Sequence, residues 1–135
     1  MRIAVVASLF NREVVDLMVE RALERAKEKE VQVVAVVRVP GAFEIPLAVQ
    51  RLLDRADVDG AVALGAVIKG ETLHDEVIMA AASDGLMDIA LRTGKPVGLG
   101  ISGPGMTGEQ ALARVGNAAR AVDAVVSMDE LLRGI

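Results

Sequence analysis

Residues 60–77, GAVALGAVIKGETLHDEV, decide the fold of this chain. The first nine, Gly60 to Ile68, carry no polar side chain and include Val62, Leu64, Val67 and Ile68. An apolar run without alternation is the pattern of a strand buried on both faces, as in a parallel sheet. The pattern then changes at once. A polar loop from Lys69 to Thr72 precedes a helix predicted from about Leu73 to Thr93, closed by Gly94 and Pro96.

The rest of the chain repeats this unit on either side. RIAVVAS (2–8) is a continuous β-rich run, and Asn11 is placed to cap a helix through REVVDLMVERALERAKEK. There Val14 or Val15, Met18, Ala22 and Ala26 recur at helical spacing, with charges opposite. VQVVAVVRV (31–39) is a strand stopped by Pro40-Gly41, and FEIPLAVQRLLDRA is a helix with Pro46 in its first turn. PVGLGIS (96–102) is the fourth strand, followed by a last helix from about Gly108 to Leu132. Four buried strands alternating with helices predict a single domain, 1–135, of class α/β. The expected arrangement is a three-layer α/β/α, flavodoxin-like, four-stranded parallel sheet. Ligands in such sheets sit beyond the carboxyl ends of the strands.

Composition excludes several classes of function. With 135 residues, 53% hydrophobic and 25% charged, the chain is long and apolar enough for a real core. It has no cysteine and one histidine, which excludes disulfides and thiolate metal sites and leaves little for zinc. A net charge of −4 without a basic block argues against nucleic acid or an anionic membrane as partner. No apolar run approaches membrane-spanning length and no signal pattern opens the sequence, so the expected location is the cytoplasm. The core must be aliphatic: there is no Trp or Tyr, and only Phe10 and Phe43.

Those rare residues fall together. Phe10-Asn11 follows the first strand, Gly41-Ala42-Phe43-Glu44 the second, Lys69 to His74 the third, and Ser102 to Thr107 the fourth. Both phenylalanines and the only histidine thus lie at one end of the sheet. Thr72-Leu73-His74-Asp75 fits a capping box that makes His74 the second residue of a helix, a position suited to proton transfer near neutral pH. The amides of Gly70, Glu71 and Thr72 form an anion cradle ahead of that helix.

Two motifs resemble nucleotide sites and are rejected. Gly65 and Gly70 have phosphate-loop spacing, but Glu71 stands where such a loop needs lysine, so a polyphosphate is excluded. Gly98, Gly100 and Gly103 match the dinucleotide fingerprint in the last strand, with no later strand to carry a ribose-binding acid; Asp123 lies mid-helix. More usable is Thr107, which can cap with Gln110, and Arg114 beyond it. Arg114 stands among Ala111, Leu112, Ala113 and Val115, a setting suited to burial against another chain and a phosphate.

Taken together, VPGAFEIPLA, GAVIKGETLHDEV and GISGPGMT with EQALAR resemble the 6,7-dimethyl-8-ribityllumazine synthase family of riboflavin biosynthesis, and LGISGPGMT is similar to its archaeal branch. The resemblance covers nearly the whole chain. It implies condensation of 5-amino-6-(D-ribitylamino)uracil with 3,4-dihydroxy-2-butanone 4-phosphate, without cofactor or metal. It assigns Phe10 to stacking on the pyrimidine with Asn11 beside it, and Gly41, Ala42, Phe43 and Glu44 to the ribityl chain and ring edge. Val67 and Ile68 line the heterocycle. Lys69, Gly70, Glu71 and Thr72 surround the phosphate with Arg114, and His74 shuttles protons. Leu99 takes a pocket position where many relatives have phenylalanine. Ala113 stands where many have an acid, and Arg120 lies near the place of a usual lysine.

The resemblance also implies a homo-oligomer, a pentamer with sites between subunits, which in many members closes into a shell of twelve pentamers. Two other classes share the fold. Archaeal-type riboflavin synthases dismutate lumazine, but GAFEIP and GETLHDEV resemble the synthase upstream of them. A non-catalytic flavin or lumazine carrier is the other, and it has less use for both His74 and Arg114.

Overall fold

A computed structural model describes all residues, 1–135. It contains four strands, β1 (Arg2–Ser8), β2 (Gln32–Val39), β3 (Gly60–Ile68) and β4 (Val97–Met106). The helices are α1 (Arg12–Glu28), α2 (Ile45–Leu53), α3 (His74–Thr93), α4 (Gly108–Ala113) and α5 (Asn117–Arg133). A turn of 3-10 helix, Ala42–Glu44, leads into α2. The strands form one all-parallel sheet in the order β2-β1-β3-β4. The three-layer α/β/α, flavodoxin-like expectation is met.

Strand alternation builds two aliphatic cores. Ile3, Val5, Ala7, Val62 and Leu64 point to one face, where Val15, Met18 and Ala22 of α1 and Ala118, Ala121 and Val122 of α5 cover them. Ala4, Val6, Ala61 and Ala63 point to the other, against Ile45, Val49 and Leu53 of α2 and Ala82, Leu86 and Ile89 of α3. Each buried Val or Leu side chain in these layers contributes roughly 1.5–3 kcal/mol relative to exposure. The central strand β3 is buried over eight of its nine residues, as a strand covered on both faces must be.

Four differences from the sequence expectation concern β2, β4, the last helix and α3. Of the four strands expected to be buried, only the central β1 and β3 are: β2 and β4 are the edges of the sheet, and both are part-exposed. β4 continues past Ser102 to Met106, since Met106 pairs with Ile68 beyond an irregularity in the ladder. The last helix is two. Between α4 and α5 the bonds shorten to i−3, from Arg114 to Ala111 and from Asn117 to Arg114. Gly116 weakens the helix there, while Ala111 and Val115, four residues apart, are both buried.

The fourth difference is at α3. His74 is its first residue, not its second, and Thr72 Oγ1 accepts from the His74 amide at 3.3 Å instead of from Asp75. The Asp75 carboxylate is turned elsewhere. By contrast, the Thr107–Gln110 capping box forms in both directions.

The glycine fingerprint in β4 has a packing cause. A Cβ on Gly98 would lie 2.4 Å from the Ala121 carbonyl, so α5 rests directly on the strand there. Gly103 has φ +113°, and its Cβ would lie 2.3 Å from the Val67 carbonyl. Asp123, in α5, is taken up in an ion pair with Arg25 of α1. No helix is long and apolar enough to cross a membrane.

Candidate active site

In the order β2-β1-β3-β4 the direction of winding reverses between β1 and β3, and a crevice opens at their carboxyl ends. From β1 the chain turns into α1 on one face of the sheet. From β3 it turns into α3 on the other. A cavity of about 550 Å³ lies at this point. It is lined from three strand ends: Phe10 and Asn11 after β1, Gly41 to Glu44 after β2, and Val67, Ile68, Gly70, Thr72 and His74 at and beyond the end of β3.

Phe10 is 71% exposed and Phe43 61% exposed. Neither ring plugs the core, so both aromatic faces are free for a ligand. Phe10 is nevertheless held firmly through its backbone. Leu9 and Phe10 donate to the Val39 and Pro40 carbonyls at 2.7 and 3.1 Å. Asn11 adopts the left-handed conformation, φ 57° and ψ 43°, and donates Nδ2 to the Ala66 carbonyl at 2.6 Å instead of capping α1. Glu44 folds its carboxylate beside Gly41, with Oε2 3.5 Å from where a Cβ would stand.

The 70–74 loop is a bridge pinned at both ends to the end of β4. On one side the Lys69 amide donates to the Met106 carbonyl at 2.8 Å. On the other, Asp75 Oδ2 accepts from the Gly105 amide at 2.8 Å. Between these pins the amides of Gly70, Glu71, Thr72 and Leu73 donate no hydrogen bond within the chain. A Cβ added to Gly70 would meet nothing within 4 Å. Free amides at the start of a 20-residue helix make an electropositive cradle for an anion. The His74 imidazole stands at its edge, exposed and without a hydrogen bond of its own.

Of the sequence-predicted residues, Phe10, Asn11, Gly41, Ala42, Phe43, Glu44, Val67, Ile68, Gly70, Thr72 and His74 come together here. Lys69 and Glu71 belong to the same loop but do not line the cavity. Arg114 and Leu99 are elsewhere. Arg114 is exposed at the end of α4, and its guanidinium has no ion pair. Leu99 is 51% exposed in a separate groove of about 360 Å³ with Asn117 and Arg120. Pro40, Ala66, Asp75 and Ile78 complete the cavity and were not expected in it. Ile78, one turn beyond His74 on α3, was legible from helical periodicity. Asp75 was not, since its sequence neighbours suggested a cap.

The family described as 6,7-dimethyl-8-ribityllumazine synthase matches residues 1–133. Three curated relatives carry that same name. The protein from Methanopyrus kandleri is 51% identical over 132 residues, covering 98% of this chain and 94% of the relative. That from Staphylothermus marinus is 52% identical over 128 residues, with 94% and 85% covered. That from Metallosphaera sedula is 47% identical over 135 residues, with 99% and 89% covered.

Proposed function

The chain belongs to the 6,7-dimethyl-8-ribityllumazine synthase family, and from that premise we propose how its cavity works. The protein is a transferase of riboflavin biosynthesis. It condenses 5-amino-6-(D-ribitylamino)uracil with 3,4-dihydroxy-2-butanone 4-phosphate, giving 6,7-dimethyl-8-ribityllumazine, phosphate and water. One observation carries the assignment of residues. Two exposed aromatic rings, the Glu44 carboxylate, the unpaired amide-bearing residues Gly70 and Thr72 and one imidazole line a single crevice at the switch point of the sheet.

Phe10 stacks on the pyrimidine, with Asn11 and Gly41 at its rim. Phe43, Ala42 and Glu44 hold the ribityl chain, Glu44 by accepting from hydroxyls. Val67 and Ile68 give the heterocycle an apolar floor. The amides of Gly70, Glu71 and Thr72 bind the phosphate, with Lys69 alongside, and Glu71 disfavours a more highly charged polyphosphate. His74 moves protons as the amine attacks the ketone carbonyl, water and phosphate leave, and the ring closes. Holding two reactive molecules in register supplies much of the acceleration. The chemistry is condensation and acid–base, and this reading assigns it no cofactor or metal.

Arg114 completes the site from a neighbouring copy, with Leu99 as the facing apolar wall. This is supported by their position outside the cavity and by the exposure of both phenylalanines. The protein is accordingly a homo-oligomer, at least a pentamer, of one-domain chains spanning residues 1–135. The larger icosahedral shell of the family is the further assembly open to it. Its partners are these small molecules and other copies of itself in the cytoplasm, not nucleic acid or membrane. The test is direct: mix the two substrates with the protein and follow lumazine absorbance and fluorescence. With no Trp or Tyr the protein itself is nearly dark in the near ultraviolet where those side chains absorb, so a bound chromophore shows plainly. No chromophore above the protein-free control would sink this reading.

A further inference from the structure

The Asp75 carboxylate is only 6% exposed and lines the cavity, yet the condensation gives it no role. We propose that Asp75 is a positioning residue for the phosphate cradle, acting through the amide of Gly105. This rests on the phosphate role proposed for the 70–74 loop.

The geometry is a two-point mount. Lys69 and Asp75 bracket the loop, and they are bonded to the adjacent residues Met106 and Gly105. The mount itself is well anchored. Gly103 packs its backbone against the Val67 carbonyl, and the Thr107 capping box fixes the chain just beyond Met106. With the Asp75 pin released, the loop keeps its tie to the end of β4 only through Lys69. Its four amides then have no internal bond to hold them in a common direction.

The carboxylate does not act on the imidazole itself, since adjacent residues on a helix do not face one another. A buried negative charge beside an anion site is also electrostatically unfavourable for the anion. The useful property of Asp75 is therefore its acceptor oxygen at the right distance, not its charge. This separates positioning from proton transfer. Asparagine supplies the same acceptor with the same shape but cannot serve as a base.

The test uses the whole protein with two readouts: KM for each substrate, and calorimetric affinity for inorganic phosphate. Asp75→Ala should weaken the phosphate substrate and inorganic phosphate by about tenfold each, with pyrimidine KM changing less than about twofold. Asp75→Asn should recover wild-type phosphate affinity or better it. Should Asp75→Ala fail to fold, Asp75→Ser leaves a smaller void, also cannot reach Gly105, and should show the same split. An alanine or serine variant with unchanged phosphate affinity overturns the proposal. So does an asparagine variant as poor as alanine, or equal losses for both substrates. If wild type makes no lumazine while phosphate affinity still falls in Asp75→Ala and returns in Asp75→Asn, the functional reading fails and the positioning role stands.

Discussion

The side-chain amide of Asn11 reaches across the switch point of the sheet and donates to the carbonyl of Ala66 at 2.6 Å. This bond ties the exit of β1 to the end of β3 and sets where Phe10 stands. Asn11 is also left-handed, at φ 57°, a conformation that asparagine tolerates better than other non-glycine residues. Asn11→Ala should therefore lose both the bond and conformational ease, about 1–3 kcal/mol in urea unfolding at fixed protein concentration. Asn11→Gly should recover the conformational part alone. Equal stability of the two variants would mean that backbone strain has no share in the loss.

Gly70 is open on its ligand side, and its backbone is not in the left-handed region, so Gly70→Ala should fold normally. Its methyl group should crowd the cradle and raise KM for the phosphate substrate severalfold without lowering the melting temperature. A drop in thermal stability with unchanged KM would show that the glycine serves the fold.

His74→Ala should slow turnover by about ten- to a hundredfold, as loss of one proton shuttle does. Much of the rate should survive through substrate alignment. Single-turnover kinetics on the assembled variant read this directly, and complete inactivity would assign His74 a different task.

Phe10→Ala and Arg114→Ala should split the substrates. The first loses stacking worth roughly 1 kcal/mol on the pyrimidine, and the second weakens mainly the phosphate partner. If Arg114 comes from a neighbour, a Phe10→Ala, His74→Ala double variant co-refolded with Arg114→Ala should regain activity. Random mixing in a ring leaves about one quarter of interfaces with both intact halves. Mixing pre-formed oligomers should not restore it. No gain on co-refolding would place Arg114 in its own chain's site.

Arg38 bonds to Asp16 Oδ1 at 2.8 Å and to the Ser8 carbonyl at 3.1 Å, bracing the exit of β1. The Arg38 hydrogen bond holds the Asp16 carboxyl below its usual value of 3.8. A carboxyl lowered in the folded state stabilises fully above that value and loses its contribution as pH falls through the folded one. The difference in urea midpoint between wild type and Asp16→Asn should therefore be present at pH 6 and shrink below about pH 4. A difference independent of pH would show that the ion pair contributes nothing.

The sequence by itself determined the layers. β3 begins and ends where its apolar run does, and β1 adds only Arg2 and Ser8 at its ends, because a strand buried on both faces is built mostly of apolar side chains. The residues of the cavity were legible for a related reason: every chemical group follows a strand end, and parallel connection puts all those ends on one side. The tertiary structure alone decided what depends on contacts distant in sequence. β2 and β4 are part-exposed only because the order β2-β1-β3-β4 makes them edges. Asp75 has the local pattern of a cap, but Gly105, thirty residues on, offers an amide that the end of β4 leaves unpaired. Local periodicity records which face a residue prefers. It carries no record of which distant backbone group lacks a partner, and that group decided where the carboxylate went.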